Sequence, residues 1–313
     1  MSFDVYNLEF RSWSTEINVG GYRFTRADDY GSQLQKLQHR ITSHSEFSIS
    51  ATTGTHCITA QVEPPVPEPD AIIPWSNTDA TALDDITLLL SIFTTRHVFA
   101  CRDHPASDEP RVIVANPQEF PWGGLTATSI PYMKAPTPEP NEYTPSGDEG
   151  LEVHLNNIWK LMNTDEWRDE YHDGGYLILF RGALQQRTVE SAFTQCWTIW
   201  EHLFSILNES WMTKNTIRKI NSSEKIAYLL VTYAVRENLQ EKEKKRLESL
   251  ASIRNRLVHF GHFPEGDSVL DDAVLFIRMT ELIVAKTLGL TPSQIFNTLD
   301  KLEDFITNAT TTA

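Results

Sequence analysis

Several features that announce a function at once are missing from this 313-residue chain. No stretch of about 18 apolar residues occurs, so no membrane-spanning helix is expected. The opening Met1-Ser2-Phe3-Asp4-Val5-Tyr6 lacks the basic and apolar parts of a secretory leader, and a soluble, cytoplasmic protein is the expectation. Cysteine is scarce. Cys57, Cys101 and Cys196 are odd in number and far apart, without paired metal-ligand spacing. That argues against a disulfide framework or a zinc finger and for three buried thiols. No Gly-rich phosphate loop, Gly-x-Ser-x-Gly elbow or His-Glu-x-x-His pair is present. His97, Asp103 and His104 are too scattered for a metal site, and neither a metal nor another cofactor is expected.

Positive charge is in deficit too. A net charge of −15 argues against a protein that coats nucleic acid through its whole surface. The imbalance is uneven: residues 1–150 hold 9 Lys/Arg against 20 Asp/Glu, and residues 151–313 hold 18 against 22. The second half also gathers its cations, in Lys214, Arg218, Lys219 and Lys225 and again in Lys242, Lys244, Lys245 and Arg246. Solvated helix faces are the plain reading of both clusters.

Hydrophobic periodicity divides the chain. Residues 5–10, 17–19, 46–50, 57–60, 96–101 and 111–115 alternate like short strands, with Gly20-Gly21 as a turn. The segment around Leu34 and Leu37 is ambiguous, and Leu83, Ile86, Leu89, Leu90 and Phe93 mark one helix. Residues 1–130 therefore read as a mixed, mainly-β domain without a catalytic constellation, suited to a sensor or regulatory role. Residues 131–150, rich in proline and glutamate, read as a linker.

After residue 150 the period changes to that of a helix. Leu151, Leu155, Ile158 and Met162 open a helix, and residues 176–184 form another. The stripe Val189, Phe193, Cys196, Trp200, Leu203 and Leu207 predicts a central core helix. Further helices are predicted after Ser222-Ser223-Glu224, over 241–260, over 269–288 and after Thr291-Pro292, with Gly261 and Gly289 as stops. Short links between them imply an antiparallel bundle over 151–313 and an α+β, two-domain chain. Trp159, Trp197, Trp200 and Trp211 are expected in its core rather than as base-stacking platforms.

The chemistry concentrates at one helix end. Arg254, Asn255 and His259 close the run Glu248 to His262. A phosphodiester attacked by its own 2′-hydroxyl needs a proton carrier near neutral pH, which histidine supplies, and a fixed cation on the phosphate, which arginine supplies. Asparagine can orient either. At about 100° per residue Asn255 and His259 share a face, while Arg254 lies about 140° from His259. One straight helix would splay the pair, whereas fraying after Val258, a folded-back Arg254 stem, or two copies meeting across a twofold axis would reunite it. The same residues also make an ordinary C-terminal cap that complements the helix dipole.

Arg254-Asn255, three residues and His259, followed by Phe260-Gly261 within a helical region, resemble the signature of the HEPN (higher eukaryotes and prokaryotes nucleotide-binding) superfamily. The runs 179–184 and 192–204, the latter with Trp200-Glu201-His202-Leu203-Phe204, look like the first long helices of its Apea-like branch. The likeness covers about residues 150–290. It implies a four- to five-helix bundle that homodimerises around a composite site. Members with an intact signature are commonly metal-independent endoribonucleases in toxin, abortive-infection and antiviral defence settings. Members without it are non-catalytic RNA-binding or scaffolding domains, the alternative for this chain.

By position, Arg254 would hold the scissile phosphate of an RNA substrate, His259 would act as acid or base, and Asn255 would orient. Glu201 and Arg181 would support, Glu201 paired with Arg254 or Arg181. Arg256 and His262 would touch RNA or remain solvated. A defence or antitoxin protein is an implied partner.

Overall fold

The structure, a computed structural model, describes residues 2–10, 14–38, 57–65, 77–94, 98–101, 147–184, 186, 189–233, 239, 241–264 and 269–289. The predicted strands at 46–50 and 111–115 and the helix after Pro292 lie outside them. The chain divides into two compact units, Met1–Gly124 with Pro145–Lys160, and Leu125–Thr144 with Leu161–Ala313.

In the first unit, β1 (Phe3–Tyr6), β2 (Glu16–Val19), β3 (Tyr22–Arg26), α1 (Tyr30–Gln38), β4 (Ile58–Glu63), α2 (Asn77–Thr94), β5 (Phe99–Cys101) and most of α3 (Gly147–Met162) follow one another. The strands pair antiparallel in the order β2-β3-β4-β1-β5. Alternation sets their faces: Phe3, Val5, Ile17, Val19, Tyr22, Phe24, Ala60 and Val62 are all buried. The ambiguous segment around Leu34 is helix, and α2 contributes Ile86, Leu89, Leu90 and Phe93 to the buried residues. More of this unit's described residues are helical than extended, a mixed α+β arrangement. Its strands are only three to six residues long.

The predicted boundary shifts as well. Residues up to Lys160, expected in the bundle, group with the sheet. Asn156 holds the β2–β3 turn from both sides: its Oδ1 accepts from Gly20 N at 3.0 Å and its Nδ2 donates to Asn18 O at 2.7 Å. Gly20 (φ 58°) and Gly21 (φ 83°) adopt the left-handed backbone that a two-residue hairpin turn requires. A Cβ on Gly20 would stand 2.5 Å from Trp159 Nε1, so the indole lies where only glycine leaves room.

The described residues of the second unit form helices joined by turns and short links, with no strand among them. It comprises α4 (Asp165–Tyr171), a 3-10 turn at His172–Gly174, α5 (Gly175–Leu184), α6 (Val189–Asn208), α7 (Lys214–Lys219), α8 (Ser222–Thr232), α9 (Glu241–Phe260) and α10 (Val269–Thr287). α6 touches α4, α5, α7, α8, α9 and α10, as a central helix should. Phe193, Trp197 and Trp200 of α6 pack on Phe276 of α10 with ring centroids 5.1 to 5.7 Å apart. Two indoles also satisfy their N–H groups on α10, Trp200 Nε1 on Thr280 Oγ1 at 2.8 Å and Trp167 Nε1 on Thr287 O at 2.9 Å. No helix among the described residues is long and apolar enough to cross a membrane.

Candidate active site on the motif helix

α9 forms because Glu, Lys, Arg, Leu and Ala dominate its sequence and Glu241 and Glu243 sit at the positive end of its dipole. Leu247, Leu250, Ile253 and Leu257 make its buried stripe against α6, α8 and α10. Near its start Arg246 pairs with Asp272 of α10, Nη2 to Oδ1 at 2.7 Å. After its end Gly261 (φ 76°) turns the chain in the left-handed conformation, and its N–H returns to Leu257 O at 2.8 Å. Phe263 then meets Phe193 of α6 edge-on, with centroids 5.8 Å apart. The helix end is thus held on its inner side while its outer side stays open.

The signature residues occupy that open end. Arg254 flanks the buried stripe, half-buried, while Asn255, Arg256 and His259 are exposed. The Arg254 Nη1 donates to Asn255 Oδ1 at 3.0 Å, so the asparagine orients the guanidinium. Among the described residues no carboxylate pairs with Arg254 or Arg256, and residues 250–264 contain no acid at all. Both guanidiniums therefore keep donors for an anion. The end is also apolar: Val258 is 55% exposed and Phe260 is 69% exposed, with the Arg256 guanidinium 5.9 Å from the Phe260 ring centre. His259 sits beside Phe260, ring centroids 6.4 Å apart. His262, exposed beyond the turn, has its Nδ1 2.8 Å from the Phe263 carbonyl.

α9 is helical through Phe260, so the angular splay of Arg254 and His259 persists and fraying after Val258 does not relieve it.

Glu201 is engaged by α8. Its carboxylate accepts from Ser222 Oγ and forms an ion pair with Lys225 Nζ, both on α8. Lys225 is buried, its ammonium 5.8 Å from the Phe204 ring centre. A lysine expected on a solvated face thus takes the place of the expected arginine partner. Arg181 is half-buried on α5.

Trp211 reverses its expectation as well. Trp197 and Trp200 are core residues and Trp159 is half-buried, but Trp211 is 65% exposed. It continues the α6 stripe by four residues from Leu207, yet the helix stops at Asn208, whose buried Nδ2 donates to Phe204 O at 2.8 Å.

Elsewhere, His172 Nε2 lies 2.8 Å from Glu209 Oε1, and burial pushes the nearby His202 below the ordinary histidine range, with His172 adding to the effect. Burial also raises the Tyr171 phenol to about 12, and Tyr176 and Tyr233 further. Among the described residues no three His, Cys, Asp or Glu side chains gather as a metal site; His97, Asp103 and His104 lie outside them.

Compared with known proteins, the chain matches no family model, no curated protein and no solved structure.

Proposed function

We propose that the chain is a metal-independent endoribonuclease of the HEPN type, its second unit a HEPN-like bundle acting as a homodimer, in a toxin or antiviral defence setting. The observation that carries this reading is the open end of α9. There an arginine oriented by its neighbouring asparagine and an exposed histidine stand among exposed apolar side chains, with no acid in 250–264 to neutralise them.

Because Arg254 and His259 diverge on one helix, the site is completed by a second α9, whose Val258 and Phe260 supply the apolar contact. In that cleft Arg254 holds the non-bridging oxygens of the scissile phosphate and offsets the charge that builds as the 2′-hydroxyl attacks. One His259 takes the 2′-hydroxyl proton and the partner's His259 delivers a proton to the departing 5′-oxygen. The P–O5′ bond breaks, leaving a 2′,3′-cyclic phosphate and a 5′-hydroxyl. Asn255 is a positioning residue for Arg254. Exposure of Val258 and Phe260 equally favours a non-catalytic scaffold that docks through this end.

One assay separates the two. Purified chain is incubated with single-stranded RNA in EDTA, and the ends are analysed. Cyclic-phosphate products from wild type, lost in Arg254→Ala and in His259→Ala, are expected. No cleavage by wild type, or equal cleavage by both variants, leaves the scaffold.

A further inference from the structure

Trp211 stands in a setting that the motif helix does not explain. Large apolar side chains are common at surfaces singly, and what matters here is the company. Residues 210–223 contain Lys214, Arg218 and Lys219 and no acid, in a chain of net charge −15. All three cations are exposed, and among the described residues none has a carboxylate partner. Lys214 and Arg218 lie one turn apart on a common face of α7. The nearest acid in sequence before them, Glu209, faces His172 at 2.8 Å.

The segment is also built to hold still. Trp211 N and Met212 N both donate to Asn208 O, at 3.2 and 2.8 Å, closing a turn at the end of α6. Thr213 then caps α7, its Oγ1 accepting from Thr216 N at 3.2 Å, and buried Ile217 anchors that short helix. The backbone that carries the indole is therefore held within a few residues of cations that lack carboxylate partners among the described residues, which lowers the ordering cost of a ligand that stacks on it.

We infer that Trp211 with Lys214 and Arg218 is a contact site for single-stranded nucleic acid, the indole stacking a base and the two cations meeting adjacent phosphates. Stacking suits every base, and local cations give an acidic chain the attraction that its total charge denies. An anionic membrane surface would also attract an indole among cations. It is disfavoured because α7 turns Ile217 inward, so the segment offers no apolar helix face to insert. The inference rests on the endoribonuclease reading for its choice of RNA as the natural strand.

The test measures binding apart from cleavage. A fluorescein-labelled 2′-O-methyl oligouridylate of about 20 nucleotides lacks the free 2′-hydroxyl, so wild type can hold it without cutting it, and anisotropy reports affinity. Trp211→Ala is expected to weaken binding about tenfold, and Trp211→Phe to retain most of it. Lys214→Gln with Arg218→Gln is expected to reduce the magnitude of the log–log salt slope by about 1.4. Absence of binding by wild type, or unchanged affinity in Trp211→Ala, overturns the site. Binding to phosphatidylserine vesicles that Trp211→Ala abolishes, with oligonucleotide affinity unaltered, overturns it in favour of a membrane contact. Weakened binding in Trp211→Ala alongside a wild type inert toward ordinary RNA keeps this site and removes the nuclease.

Discussion

Lys225 and Glu201 form an ion pair between α8 and α6, with Ser222 Oγ donating to the same carboxylate. The lysine is buried and the carboxylate about a third exposed, so the pair costs desolvation on one side and is solvated on the other. Glu201 acts in packing, joining the helix that carries the core to the helix against which α9 rests.

Lys225→Met leaves Glu201 short of its cation, and a loss of about 2–3 kcal/mol is expected in urea unfolding, below the range for a fully buried pair because Glu201 reaches water. Adding Glu201→Gln should recover part of that loss. Equal stability of wild type and Lys225→Met would show that the pair carries no weight.

Phe260→Asp places a charge on the exposed end of α9 without disturbing the buried stripe. Melting temperature should stay within about 3 °C of wild type. Under the dimer reading, sedimentation should shift to the monomer and cleavage should disappear together. A dimer that survives Phe260→Asp and Val258→Asp moves the interface elsewhere.

Asn255→Ala removes the acceptor that orients Arg254 but keeps both proposed reacting groups. Cleavage should fall about tenfold in kcat with KM little changed, roughly one hydrogen bond's contribution, against a far larger loss in Arg254→Ala. Asn255→Gln with a restored rate would confirm positioning over mere structure.

His202 has its pKa depressed by burial, so the unfolded state binds a proton more readily than the folded state. The stability it contributes is present above the ordinary histidine value near 6.5 and is lost as pH falls through the lowered folded value. The thermal midpoint of wild type should therefore drop on acidification from about pH 7 toward pH 5. In His202→Gln that drop should be shallower; an identical profile would assign the acid sensitivity to other groups.

Gly20→Ala should destabilise the first unit by several kcal/mol, since the added methyl meets the Trp159 indole and the residue must hold a positive φ. A differential scan that leaves this unit's transition unmoved would contradict the packing of Trp159 on the turn.

Much of the helical half was legible because its signals are local. The α6 stripe, the α9 span and the stops at Gly261 and Gly289 follow from periodicity and from glycine's tolerance of positive φ, which act over a few residues. The short helices α4 and α7 were missed, being too brief to show a period. Alternation marks the positions of β1, β2, β4 and β5 but not of β3, and helices outweigh strands among the described residues of the first unit.

Arg254, Asn255 and His259 were identified by sequence alone, and so was their splay, because residue identity and a rigid 100° step are properties of the chain itself. Tertiary structure alone decided which charges are free. Lys225 is consumed by Glu201, and Asn156 draws α3 to the sheet. Each of these outcomes depends on groups distant in sequence meeting in space, and desolvation then makes pairing obligatory for buried charges and optional for exposed ones.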